Sequence, residues 1–244
     1  MDEITPGNEP VDILAFGPHP DDIEIGIGAT LAKHAARGHR VGLCDVTAGD
    51  MGSNGTVEQR LAEAQGATTV LGARWRVNLR LPDRGIGHDP SHVRIAAEMI
   101  RGARPRVVAL PYWSDRHPDH AAASQLLTEA VFSAGLRRFP AAGEAWTPES
   151  VCYYFINDSC TPSFVVDVSE HYETKRRALA CHTSQFAPTG SDTVATRLTS
   201  NLFAQLIESR DAQFGAQAGV AFAEGLIVRH PLLRDDLLPH GARA

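Results

Sequence analysis

The stretch Val11-Asp12-Ile13-Leu14-Ala15-Phe16-Gly17-Pro18-His19-Pro20-Asp21-Asp22 opens on an apolar run and closes on a His/Asp cluster. The run is too short for a typical helix, and Gly17-Pro18 ends it, so residues 11–16 read as a buried strand. The pattern returns far along the chain. Residues 106–110 read as a second apolar strand, and Arg116-His117-Pro118-Asp119-His120 follows it. A strand that delivers His and Asp at its end, twice, sets the expectation for everything between.

Working outward, residues 28–37 read as a helix with Leu31, Ala32 and Ala35 on one face and Gly38 as its stop. Residues 40–46 form a second strand, and residues 47–55 a glycine-rich loop. Thr56 caps a helix running to residue 71, closed by Gly72. Residues 75–79 are a strand, 91–103 a helix capped by Ser91, and 119–134 a helix. This alternation predicts an α/β fold: a Rossmann-like three-layer sandwich with a mostly parallel sheet. Residues 138–148 read as a connecting loop, followed by strands at 151–156 and 164–168. Helices are expected at 170–181 and 195–210, with Leu198, Leu202, Leu206 and Ile207 lining one face of the latter. The expectation is one domain over residues 1–244: a core at 1–137 and a C-terminal α/β extension at 138–244.

Composition narrows the partners. The 244 residues are 43% hydrophobic and 21% charged, ordinary for a globular chain. A net charge of -6 without a basic stripe argues against nucleic acid. No apolar run approaches the ~20 residues of a membrane span, so no membrane partner is expected. The polar, acidic N-terminus does not resemble a signal peptide. Cys44, Cys152, Cys160 and Cys181 are scattered without a C-x-x-C pair, which fits reduced thiols and a cytoplasmic location.

In an open parallel sheet, ligands gather at the carboxyl ends of strands where strand order reverses. Both clusters start at such ends. A single His-Pro-Asp is ordinarily a turn. Two of them, each behind a parallel strand, point instead to a metal. Zinc takes nitrogen and oxygen donors and leaves one position open for water in catalytic sites. The economical ligand set is His19, Asp22 and His120, one ion per subunit, and iron(II) or cobalt(II) suits the same donors. Asp21 is then free to take a proton from water, and His117 is left as an electrophilic or acid partner. Gly26-Ile27-Gly28 is no dinucleotide fingerprint, because Leu31 stands where the third glycine belongs.

Several segments resemble one family. Phe-Gly-Pro-His-Pro-Asp-Asp-Ile-Glu-Ile-Gly at 16–26, Ser-Asn-Gly-Thr-Val at 53–57 with Arg60, and Arg-His-Pro-Asp-His at 116–120 are similar to segments of the LmbE-like, or PIG-L, deacetylases. So are Cys181-His182-Thr183-Ser184-Gln185-Phe186 and Phe222-Ala223-Glu224-Gly225. The segments at 53–57 and 81–85, with Ser-Gln-Phe and Ala-Glu-Gly, resemble the branch that deacetylates N-acetylglucosaminyl malate in bacillithiol biosynthesis. Pro18 and Asp50 depart from the family's more frequent Ala and Glu.

The resemblance implies a zinc-dependent hydrolase that releases acetate from an N-acetylglucosamine conjugate. It implies His19, Asp22 and His120 as ligands, Asp21 as general base, and His117, oriented by Asp119, as support for the oxyanion or the departing amine. It implies Arg60 as a substrate contact; Arg84 and Arg116 are further candidates, because guanidinium groups can grip the malate carboxylates, and Asn54 is a fourth. A homo-oligomer, a hexamer by analogy, is also implied. The alternatives are another amino-sugar conjugate (a mycothiol precursor, a chitooligosaccharide or an antibiotic sugar) and a non-catalytic metal-dependent sugar-binding protein.

Overall fold

In the computed structural model, residues 9–189 and 191–233 are described. Seven strands form one sheet: β1 (Ile13–Gly17), β2 (Val41–Thr47), β3 (Trp75–Leu81), β4 (Val107–Pro111), β5 (Ser150–Tyr154), β6 (Phe164–Asp167) and β7 (Ala223–Ile227). Their order is β3-β2-β1-β4-β5-β7-β6, and only β7 runs against its neighbours. The chain leaves β1 toward β2 and β3, then returns to lay β4 on the other side of β1. The strand order therefore reverses between β1 and β4, the two strands that carry the His/Asp clusters.

All five residues of β1 are buried because both faces of the sheet are covered. Helices α3 (Ser91–Ala103) and α4 (Pro118–Ala134) pack together on one face, where Leu14 and Phe16 join Ile100, Leu110 and Leu127. On the other face Ile13 and Ala15 meet Ile23, Ile27, Leu43 and Leu71 beneath α1 (Asp22–Ala36) and α2 (Val57–Leu71). The alternation along β1 divides the two cores residue by residue. The remaining helices, α5 (Tyr172–Ala180), the one-turn α6 (Thr183–Phe186) and α7 (Asn201–Ala218), belong to the C-terminal half. That half also contributes β5, β6 and β7 to the same sheet.

Several expectations need correction. Helix α1 begins at Asp22, six residues before the glycine-marked start at 28. Gly26 and Gly28 are not breakers here. A Cβ on Gly26 would lie 2.1 Å from the Tyr154 ring, so the glycine lets α1 press onto β5. Tyr154 in turn donates its hydroxyl to the Phe16 carbonyl at 2.6 Å. Ser91 is the first residue of α3 rather than its cap, and the Asp89 carboxylate accepts its amide at 2.7 Å. Thr56 does cap α2, accepting the Gln59 amide at 3.2 Å, and Gly72 closes that helix in the left-handed region.

Helix α7 also starts later than the leucine spacing suggested, with Ser200 Oγ accepting the Leu202 amide. Its buried face is Phe203, Ile207, Arg210, Asp211 and Phe214, while Leu202 and Leu206 are exposed. Arg210 and Asp211 turn the helix away from the face its leucines mark by reaching the Ile25 and Phe155 carbonyls and Lys175. Strand β7 has no strand-like pattern in the sequence because its second residue, Glu224, is fully buried. The Glu224 carboxylate accepts the Ala29 and Thr30 amides of α1 at 3.1 and 2.6 Å and the Lys175 ammonium at 2.7 Å. These buried partners offset the cost of a charge without water. No helix among the described residues is long and apolar enough to cross a membrane.

Candidate active site

The carboxyl ends of several strands meet around one cavity of about 440 Å³, as expected where strand order reverses. After β1, the turn at Pro18 is tied to the end of β2: the Pro18 carbonyl accepts both the amide and the hydroxyl of Thr47 at 3.0 Å. Asp21 then occupies the position before α1 with φ of 132°, a region that non-glycine residues rarely adopt. Such strain is characteristic of functional positions. After β4, His117 caps α4, its Nδ1 accepting the Asp119 amide at 3.2 Å.

The two clusters converge. Asp22 Oδ2 lies 3.0 Å from His19 Nδ1 and 3.3 Å from His120 Nε2. His117 stacks on His120 with ring centroids 4.7 Å apart and meets His19 edge-on at 4.9 Å. Donor atoms of His19, His117 and His120 all fall within 4.8 Å of one another, as do those of His19, Asp83 and Asp119. Nitrogen and oxygen ligands at about 2.0–2.1 Å around a tetrahedral zinc are about 3.3–3.4 Å apart. The edges that Asp22 makes with the two imidazoles approach that spacing, and the nitrogen and oxygen donors gathered here are of the kind a divalent cation takes, while Asp22 itself belongs to neither compact donor group.

Carboxylates behind the imidazoles fix their orientation, as outer partners of metal-binding histidines commonly do. Asp115 Oδ1 is 3.0 Å from His120 Nδ1, which directs Nε2 toward Asp22. His19 Nε2 is 3.3 Å from Asp83 and 3.4 Å from Asp119. Asp115, Asp83 and Asn157, whose side chain reaches His120 Nδ1 at 3.4 Å, are absent from the sequence-derived site. Each lies just past the end of a strand, β4, β3 and β5, and that placement was the available signal.

Charge settles unevenly. Burial opposes charging of His120, but Asp22 and Asp115 outweigh it and lift its pKa to about 9. Burial would raise Asp22, yet His120 and His19 hold it well below the usual carboxylate range. Asp21 behaves oppositely: burial, with Asp22 alongside, raises it to about 6 despite the pull of Arg60. Two neighbouring carboxyls are thus driven apart, one toward a fixed anion and one toward a group able to exchange a proton near neutrality. His117 is pushed down by burial and by its two histidine neighbours, so it is a neutral ring. With Nδ1 accepting from backbone, its hydrogen resides on Nε2.

Four sequence-derived contacts are placed differently from one another. Arg60 is in the cavity wall but buried: it donates to the Gly49 carbonyl at 2.9 Å and the Pro20 carbonyl at 3.2 Å, and pairs with Asp21 at 3.5 Å. Arg84 uses its amide and guanidinium on Asp119, at 2.9 and 3.1 Å. The Asp119 carboxylate therefore faces Arg84 and His19, and only its backbone amide reaches His117. Asn54 exchanges two hydrogen bonds with the Val194 backbone, at 2.8 and 2.9 Å, and lies outside this cavity's lining. Arg116 lines the cavity and has no ion pair among the described residues.

Residues 14–131 match the PIG-L family model, described as GlcNAc-PI de-N-acetylase. A solved structure, the conserved protein TT1542 from Thermus thermophilus, is 36% identical with a TM-score of 0.85, covering 94% of this chain and 100% of that one. The diacetylchitobiose deacetylase of Thermococcus kodakarensis is 29% identical over 91% of this chain and 84% of its own. The 1D-myo-inositol 2-acetamido-2-deoxy-alpha-D-glucopyranoside deacetylase of Rhodococcus opacus is 29% identical over 74% of this chain and 84% of its own. With the matched segment running from β1 through most of α4, and thus across both His/Asp clusters, the chain belongs to the PIG-L family of deacetylases.

Proposed function

We propose that this protein hydrolyses the N-acetyl group of an N-acetylglucosamine conjugate, releasing acetate and a free amino sugar. The observation that carries the reading is Asp21. It is a buried carboxyl raised to about 6, next to the Asp22–His19–His120 donor set but outside it, on the wall of the cavity. A closed structural metal site has no use for such a group. Relatives named for chitobiose and inositol glycosides support an acetamido sugar as the common element, with the aglycone free to differ.

His19, Asp22 and His120 would hold a divalent ion, with zinc the proposed metal. When bound, that ion supplies Lewis acidity, which can bring the pKa of water from 15.7 to about 7. Asp21 takes the proton of the attacking water and later returns it to the departing nitrogen. Arg60, 3.5 Å away, holds the carboxylate in place during that exchange. His117, a neutral ring with its hydrogen on Nε2, donates to the carbonyl oxygen as negative charge develops there, the role of an oxyanion-hole donor.

The finer reading is an acidic aglycone such as malate. Arg60 and Arg84 are already paired with Asp21 and Asp119, which leaves Arg116 as the unpaired guanidinium at the cavity among the described residues. Acetate release by the zinc-loaded protein, measured on N-acetylglucosaminyl malate, diacetylchitobiose and the inositol glycoside, tests both levels. Turnover confined to the neutral glycosides removes the acidic aglycone. No acetate from any of the three, in protein with a full zinc complement, removes the deacetylase reading. Arg116→Gln is expected to raise KM for the malate conjugate and leave the neutral substrates unchanged.

A further inference from the structure

The cavity at the donor set has two kinds of wall. Met51, Ser53 and Arg84 form an exposed rim. Ile25, Ile156 and Phe203 form an interior wall and are only 1%, 3% and 2% exposed, with the half-buried Leu198 beside them. These four side chains belong to one packed apolar cluster. Phe203 and Leu198 come from α7 and the segment before it, outside the stretch that the family model matches.

The wall adjoins the chemistry and is anchored there. Ile25 is three residues after Asp22 in α1, and so shares its helix face. Ile156 precedes Asn157, whose side chain lies 3.4 Å from His120 Nδ1. One buried guanidinium ties the two isoleucines together. Arg210 donates to the Ile25 carbonyl at 2.8 Å, to the Ile156 carbonyl at 2.9 Å and to the Phe155 carbonyl at 3.0 Å. Asp211 pairs with Arg210 at 2.9 Å, and Lys175 lies 2.7 Å from both Asp211 and Glu224. The backbone behind the wall is therefore fixed to α7 and, through Lys175, to β7.

Aliphatic surface beside a polar donor set suits an apolar group of the ligand, because a hydroxyl pressed against it would lose its hydrogen bonds. N-acetylglucosamine has little to offer such a surface. Its acetyl methyl is the one carbon that bears neither oxygen nor nitrogen. We propose that Ile25, Ile156, Leu198 and Phe203 form the acyl pocket and restrict the reaction to short acyl groups. The proposal rests on the deacetylase reading. With the carbonyl oxygen at His117, the methyl rests on the interior wall and the sugar extends toward the exposed rim. Close-packed side chains on an anchored backbone have little room to yield, so a longer acyl chain is excluded.

The test is a set of ratios. N-acetylglucosaminyl malate, diacetylchitobiose and the inositol glycoside, with their N-propionyl and N-butyryl counterparts, are supplied to the zinc-loaded full chain. For the wild type, kcat/KM is expected to fall about 10-fold or more with each added methylene, the scale of one methylene in a fitted apolar pocket. Leu198→Ala opens the pocket at its half-buried member and is expected to raise the butyryl-to-acetyl ratio by about 10-fold or more. Leu198→Phe is expected to lower that ratio. Each ratio is taken within one preparation, so partial unfolding or incomplete zinc cancels. Equal rates for the three acyl forms in the wild type overturn the proposal, and that arm needs no variant. A Leu198→Ala ratio at the wild-type value overturns it too. Equal losses on all three forms would instead place the sugar ring against this wall, which also overturns the acyl assignment. Absence of acetate from every N-acetyl substrate is the separate outcome that defeats the deacetylase reading itself.

Discussion

Asp115→Asn isolates the carboxylate that orients His120. In the native structure Oδ1 is 3.0 Å from His120 Nδ1 and accepts the His117 amide at 2.8 Å and the Asn157 side chain at 3.0 Å. Oδ2 accepts the Asn157 amide at 2.9 Å and the Asp158 amide at 3.3 Å. An asparagine has one acceptor oxygen and one NH2 group. If the oxygen keeps the side facing His120, the NH2 confronts the backbone amides of Asn157 and Asp158. If it turns over, the NH2 confronts His117 and His120. Either way at least one half-buried donor loses its acceptor, which costs about 1 kcal/mol, the low end for an unsatisfied donor. For a chain of this size that lowers Tm by about 2–4 °C per kcal/mol. Release of His120 from its fixed orientation weakens metal affinity by about 10- to 100-fold. Calorimetric titration of the metal-free protein with Zn2+, paired with thermal melting, reads both quantities. A variant that binds zinc with native affinity and melts at the native temperature would refute the assignment of Asp115 as the orienting group.

Three other perturbations separate chemistry from architecture. Asp21→Asn should retain zinc and lose turnover by roughly 100-fold or more, the scale of general-base catalysis; unchanged acetate release would remove Asp21 from that role. Gly26→Ala places a methyl 2.1 Å from the Tyr154 ring and 2.8 Å from the Phe155 carbonyl oxygen. Alanine favours a helix by about 1 kcal/mol over glycine, but overpacking costs about 1–3 kcal/mol or more. The melting temperature should therefore fall, and a rise would show that α1 and β5 do not press together as described. Acid stability follows Glu24. Burial would raise its pKa, but Arg76 and His182 hold it at about 2, below the ordinary 4.5. A carboxylate depressed on folding contributes stability that is fully present above about pH 4.5 and is lost as pH falls toward 2, about 3 kcal/mol in all. Chemical denaturation at pH 6, 4 and 3 should show this loss, and Glu24→Gln should flatten it.

What the sequence discloses and what it hides follow one physical division. Strands buried on both faces announce themselves as apolar runs, and residues at their carboxyl ends inherit a location from topology alone. That is why His19, Asp21, Asp22, His117 and His120 were found together. Asp83 and Asp115 obey the same rule, yet single acids after a strand are too common to stand out. Several misread segments involve polar groups whose partners are distant in the chain. Glu224 looks like a surface residue until the α1 amides and Lys175 are seen around it, and Arg210 and Asp211 reorient α7 against its leucines by reaching the Ile25 and Phe155 carbonyls and Lys175. Arg60 was given to substrate on the family resemblance and on the malate carboxylates; in the structure it lines the cavity and pairs with an anion of the protein, Asp21. Gly26 reads as a breaker locally, and only the aromatic ring of a strand more than a hundred positions away explains it.

The place of β7 between β5 and β6 has a consequence for how the molecule is made. During synthesis β6 emerges before β7 but cannot join the sheet until β7 has docked on β5, since among the described strands it pairs with β7 alone. Glu224, which grips α1 just behind the His19–Asp22 turn, arrives in the same step. A nascent chain halted short of residue 223 already carries every proposed metal ligand but lacks the clasp on α1, the helix that begins at Asp22. Completion of the centre is therefore coupled to the docking of β7, the last strand among the described residues.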